Sequence, residues 1–136
     1  MKVSHIVAVA IVAASCLSTR LAHSEPKIPE GAKPLNGTEI KEFLDGRTFR
    51  LVVYDAKKSL TGTSTWELNE GRVHGEYSWD NQDPKSWSRK WYVENDLNCT
   101  KPTKGDAECN RIYLDGEKFI EVRQDGVIHA VSTPLE

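Results

Sequence analysis

A chain of 136 residues has room for one small domain and not for two, which excludes multidomain enzyme architectures. Hydrophobic side chains make up 38% of it and charged ones 28%, so neither a disordered tail nor a transmembrane bundle fits. A formal charge of −2 argues against a dedicated nucleic-acid binder.

The N-terminal segment reads as an address. Lys2 supplies a positive start, an apolar run rich in Ala, Val and Ile fills 3–15, and the small-residue site Ala22-His23-Ser24 follows. These are the parts of a secretory signal peptide over residues 1–24, with cleavage expected before Glu25. The apolar run is about 13 residues, short of the ~20 that cross a bilayer as a helix, so no permanent transmembrane segment is expected. A competing site, Ala13-Ala14-Ser15-Cys16, looks like a bacterial lipoprotein box with Ala13 where that box usually has Leu; processing there would leave a lipid anchor on Cys16. Either reading places the protein in the periplasm or outside the cell. Taking Lys2 and Arg20 from the 18 basic residues leaves 16 against 20 acidic ones, a mature charge of −4 that disfavours nucleic acid further.

Cys16 leaves with the signal peptide, and the remaining pair, Cys99 and Cys109, sits in an oxidising compartment. A Cys99–Cys109 disulfide is expected, closing the loop from Thr100 to Glu108. The nine intervening residues and the absence of a nearby His disfavour a metal pair or a redox dithiol.

Residues 25–35 carry Pro26, Pro29 and Pro34 among Lys27, Glu30 and Lys33, a composition expected to form an extended leader ahead of a single domain over 36–136. From Thr38 to Gly46 the pattern is helical: Thr38 is placed to cap, Ile40, Phe43 and Leu44 share a face, and Gly46 is a stop. Beyond Gly46 the period becomes two. Apolar residues alternate in 47–54 (Phe49, Leu51, Val53), 63–68 (Trp66, Leu68) and 72–79 (Val73, Gly75, Tyr77, Trp79). The pattern continues through Trp87, Trp91 and Val93, then Ile112 and Leu114, then 119–122 and 127–131. Turn signals recur at Asn69-Glu70-Gly71, Asp115-Gly116 and Asp125-Gly126. The expected fold class is mainly β: an antiparallel meander of seven or eight strands closing into a small calycin-like barrel, preceded by one short helix. A flattened barrel or a two-sheet sandwich of the same strands is the alternative.

The densest functional feature is aromatic. Tyr77, Trp79, Trp87 and Trp91 lie close in sequence with Asp80, Asp83, Arg89 and Lys90 interleaved. Ring faces beside polar groups bind saccharides or flat apolar ligands, so Tyr77, Trp79, Trp87, Arg89 and Trp91 are the candidate ligand-binding residues. The same rings would equally serve to fill a small barrel that has only three Phe. The polar stretch Asp80–Lys85 is expected as a loop at the barrel mouth, where it could also meet an envelope protein partner.

No metal site and no cofactor are expected. His74 and His129, each placed by alternation on the polar or boundary face, would make a weak metal site with Glu76 only if their strands were neighbours. No nucleophile elbow, HExxH or P-loop occurs, and pairs such as Asp55 with Glu67 or Glu121 with Asp125 are too scattered to assign as acid and base. The protein therefore reads as non-enzymatic, with an envelope hydrolase as the outlying alternative. Asn36-Gly37-Thr38 and Asn98-Cys99-Thr100 match the glycosylation acceptor pattern, which carries no meaning in a bacterial host.

The run from Leu35 through Gly46 to Thr48, the segment Trp91-Tyr92-Val93 leading into Leu97-Asn98-Cys99, and the return through Cys109 to Tyr113 together resemble a family of small secreted bacterial proteins of unknown function. The resemblance spans about 95 residues and implies a periplasmic barrel-like domain with a disulfide. It brings no activity and no active-site residues. The wider barrel group similar in shape includes lipocalin-type ligand carriers and periplasmic inhibitors of lysozyme, although this chain lacks the lipocalin GxW signature near its start.

Overall fold

The computed structural model describes residues 26–58, 60–80 and 82–135; the expected signal peptide and Cys16 lie outside the described residues. The elements in chain order are β1 (Lys33–Pro34), α1 (Gly37–Leu44), β2 (Thr48–Val53), β3 (Leu60–Glu67), β4 (Arg72–Trp79), β5 (Lys85–Glu94), β6 (Leu97–Lys101), β7 (Glu108–Asp115), β8 (Lys118–Val122) and β9 (Ile128–Pro134). Strands β2 to β9 pair antiparallel, each with the next, and β9 returns to β2 with Phe49 opposite Pro134 and Val53 opposite Ala130. The result is a closed eight-stranded up-and-down barrel, which removes the exposed edges that an open sheet of these strands would leave.

The helix begins two residues earlier than its sequence pattern suggests. Asn36, not Thr38, is the N-cap: its side chain accepts from the Glu39 N–H at 3.0 Å, and the Glu39 carboxylate accepts from the Asn36 N–H at 2.9 Å. The Gly37 N–H donates to Asp96 Oδ1 at 2.7 Å, fixing the helix start to the β5–β6 turn. Ile40 and Leu44 are fully buried and Phe43 packs beside them, so the helix closes one end of the barrel. The leader also differs from its expected form at its end. Lys33 and Pro34 pair with Leu114 and Tyr113 of β7, the Leu35 N–H donates to the Ile112 carbonyl at 2.9 Å, and Leu35 is buried.

The core sits at the α1 end, where Leu35, Ile40 and Leu44 meet Phe49, Trp66, Val73, Trp91, Ile112 and Phe119. Phe49 and Phe119 meet edge to face at 4.8 Å, and Trp66 and Trp91 at 5.2 Å. Because the strands alternate in direction, the connections after β3, β5 and β7 fall at this closed end, and those after β2, β4, β6 and β8 fall at the other. The β5–β6 turn holds Asn95 and Asp96 at φ 51° and 59° between the paired residues Glu94 and Leu97. That is a two-residue type I′ hairpin, built from two residue types that tolerate left-handed backbone. A second tight feature lies on the inner face of β3 and β4. A Cβ on Gly62 would collide with the Glu76 carbonyl, and one on Gly75 with the Thr63 carbonyl, so these backbones can approach only because both residues are glycine.

Candidate functional site

Away from α1 the barrel interior is not filled. Gly62 and Gly75 contribute no side chain there, and the inward Ser64, Ala130 and Ser132 are small, leaving a cavity of about 530 Å³ that opens at the far end. Its size lies within the range of sites that enclose small organic ligands.

One wall is aromatic and comes from β3, β4 and β5: Trp66, Tyr77, Trp79 and Trp87. Tyr77 and Trp79, two residues apart on one face of β4, stack with ring centroids 5.3 Å apart and planes 24° apart. Lys85 is paired with Tyr77 across the β4–β5 ladder, and its ammonium lies 4.9 Å from the Trp79 ring centroid. Trp87 is fixed by its indole N–H, which donates to the Thr63 carbonyl at 3.2 Å.

The opposite wall is polar. Arg89 donates to Glu108 Oε2 at 3.1 Å and to Thr100 Oγ1 at 3.5 Å. His129 Nδ1 lies 2.8 Å from Asp55 Oδ1, and Arg123 Nη1 lies 3.4 Å from the other oxygen of that carboxylate. Glu121 is held differently, through a relay from the core. The Trp91 indole N–H donates to Asn98 Oδ1 at 2.7 Å, and the Asn98 amide donates to Glu121 Oε1 at 3.2 Å. Glu121 is half-buried in the lining of the cavity. This enclosure pushes the Glu121 carboxyl above the usual carboxylate range, against the opposing pull of His129 and of the Asn98 hydrogen bond.

Beside the cavity the ladder between β7 and β8 is incomplete. The β7–β8 ladder stops at Arg111 opposite Val122, while Glu108, Cys109 and Asn110 pair only with β6 on their other side. Beyond that point lies a depression of about 580 Å³, and it shares Asp55, Glu108, Asn110 and His129 with the cavity. The Cys99–Cys109 disulfide joins directly opposed residues of β6 and β7, with Cα atoms 4.1 Å apart, and so pins the strand that borders this gap. The bridge staples a hairpin near its tip, where Thr100 and Glu108 are strand residues rather than loop.

Of the five candidate ligand residues, Tyr77, Trp79, Trp87 and Arg89 all front the cavity. Trp91 does not: it is 1% exposed in the closed-end core, because the step from Arg89 to Trp91 along the inner face leads toward α1. Glu108, Asn110, Glu121, His129 and Asp55 also line the cavity and escaped the aromatic reading. His129, expected on the polar or boundary face, is half-buried beside a register shift at Glu121/Val122 and lines both the cavity and the neighbouring depression. His74 is on β4, three strands away from β9 around the barrel, where it contacts Glu67 at 3.1 Å. No group of three or more His, Cys, Asp or Glu side chains among the described residues could hold a metal ion. Asn98, within one of the acceptor-pattern matches, is buried with both ends of its amide engaged.

Among the described residues no helix is long and apolar enough to cross a membrane. No family model, no curated protein and no solved structure matches this chain. The functional reading therefore rests on the geometry of the cavity.

Proposed function

We propose that the protein is a non-enzymatic binding protein of the periplasm or extracellular space, whose barrel takes up a small ligand with an apolar or saccharide-like face. The observation that carries this reading is the split wall of the cavity: four aromatic rings on β3–β5 face convergent polar groups on β5–β9. Rings supply burial and a stacking surface, and the polar groups fix orientation. The cross-strand disulfide and the signal-like N-terminal segment support the compartment. The resemblance to small secreted bacterial proteins agrees with it.

The test is uptake of the neutral fluorophore N-phenyl-1-naphthylamine, read by its emission and by quenching of the cavity tryptophans. Saturable uptake in wild type, weakened in Trp79→Ala, is the expected result. No saturable uptake, together with no ligand retained in native mass spectra of protein isolated from its own envelope, would overturn the reading. An envelope partner docking on the rim instead would be lost when residues 80–85 are replaced by Gly-Ser, with uptake unchanged.

A further inference from the structure

Three carboxylates line the cavity, and two of them have cation partners. Glu108 takes the Arg89 guanidinium at 3.1 Å, and Asp55 takes His129 at 2.8 Å and Arg123 at 3.4 Å. Glu121 has no cation within ion-pair distance among the described residues; its one hydrogen-bond donor is the neutral Asn98 amide, on Oε1. Every fully buried side-chain N or O atom among the described residues has a hydrogen-bond partner, so the other Glu121 oxygen, which has none, looks into open cavity space. That oxygen takes no donor from the described residues and so is available to a ligand, and an ammonium offers it a charge-assisted hydrogen bond.

The surroundings of that oxygen narrow the ligand further. In the closed order of eight strands, β8 lies diametrically across the barrel from β4, so Glu121 and the Tyr77–Trp79 stack line the cavity from opposite strands. Trp66 and Trp87 flank that aromatic wall on the adjacent strands. The stack can hold an ammonium, since Lys85 already places one 4.9 Å from the Trp79 ring centroid at the rim.

Resting on the binding role above, we infer that the cavity selects a ligand bearing an ammonium beside an apolar or aromatic body, with Glu121 receiving the charge and the β3–β5 rings covering the body. Asn98 positions the carboxylate. Its amide is held from behind by the buried Trp91 indole, so the relay ties the recognition group to the rigid core.

The experiment compares two probes of the same shape, 2-phenylethylamine and 2-phenylethanol, by titration calorimetry near neutral pH, with N-phenyl-1-naphthylamine as a charge-independent report of occupancy. The amine is expected to bind wild type about tenfold tighter than the alcohol, the scale of one charge-assisted hydrogen bond. In Glu121→Gln, which keeps the shape and can still accept from Asn98, the preference is lost and amine and alcohol bind alike. Equal binding of amine and alcohol to wild type overturns the inference and leaves the binding role standing if naphthylamine enters. An amine preference that survives Glu121→Gln also overturns it, assigning the charge to another group. Failure of all three probes to enter removes the binding role and this inference together. The amine–alcohol comparison needs wild-type protein alone, so it decides the matter whatever the folding yield of the variant.

Discussion

Toward α1, the inward positions of the barrel carry Phe49, Trp66, Trp91, Ile112 and Phe119; one step further along the same faces, toward the open end, stand Leu51, Ser64, Arg89, Asn110 and Glu121. Each pair is two residues apart on one strand, so core and site are consecutive layers of the same inner face. The closed layer gains stability by interdigitating large rings, and the open layer gives that up to leave space and polar groups. Stability and recognition are thereby separated along the barrel axis, and substitutions on either side of the boundary test the separation.

The largest effect is expected in the closed layer. Trp91→Ala removes a ring that is 1% exposed, packs edge to face on Trp66 and anchors Asn98, and should cost about 4 kcal/mol in urea unfolding. A loss below about 1 kcal/mol would mean that this layer is as loosely packed as the open one. At the boundary, Gly75→Ala should cost about 3 kcal/mol, because the added methyl meets the rigid Thr63 backbone carbonyl rather than a side chain that can turn away. A neutral effect would show that β3 and β4 are free to separate there, and the cavity would then have no fixed floor.

The same boundary explains what was legible in the sequence. Alternation over 47–54, 72–79 and 119–122, together with the glycine turns at 71, 116 and 126, is local information, and local information suffices for strands joined to their sequence neighbours. The disulfide followed from there being two cysteines outside the signal segment. Among candidate ligand residues, Tyr77, Trp79, Trp87 and Arg89 front the cavity while Trp91 does not, because alternation tells inward from outward but not open end from closed. A usable signal was nonetheless present. Ser64 precedes Trp66, Arg89 precedes Trp91 and Asn110 precedes Ile112 on strands running toward α1, whereas Glu121 follows Phe119 on a strand running away. Polar inward residues that swap sides with strand direction mark one end of a meander barrel. His129 could not be placed this way, since a register shift is a property of two strands and not of either sequence alone. The capping role of Asn36 was open to recognition, because Glu39 three residues on completes a capping box.

Smaller effects are expected at the open end. Removing the disulfide in Cys99→Ala/Cys109→Ala should cost about 2–3 kcal/mol through the freed unfolded chain. Because Cys109 borders the lateral gap, hydrogen exchange in 108–110 should rise more than in Trp91 or Phe119. Uniform exchange across both layers would show that the bridge acts on the barrel as a whole. Trp79→Ala should lower stability by about 1 kcal/mol or less, since the ring lies in the rim stack and outside the core, and yet it should weaken naphthylamine uptake. A stability loss equal to that of Trp91→Ala would erase the distinction between the layers.

The smallest effect has a definite sign. Enclosure in the cavity holds the Glu121 carboxyl above its ordinary range in the folded protein, with His129 and Asn98 pulling the other way. Below the ordinary glutamate range, folded and unfolded chains both carry the proton and the group contributes no difference. As pH rises through that range the unfolded chain ionises freely while the folded one resists, so Glu121 progressively favours unfolding until the folded carboxyl also ionises. Glutamine has no such titration and keeps the bond from Asn98. Glu121→Gln should therefore gain stability relative to wild type as pH rises through and above the ordinary glutamate range, measured by urea unfolding at each pH. Glu39 and Glu67 titrate in the opposite sense, lowered by hydrogen bonds from Lys33 and Arg72, but both are common to the two proteins and cancel in the difference. A flat difference would mean that water reaches Glu121 as freely as it reaches the rim, and the polar layer would then be an open surface and not a site set apart from solvent.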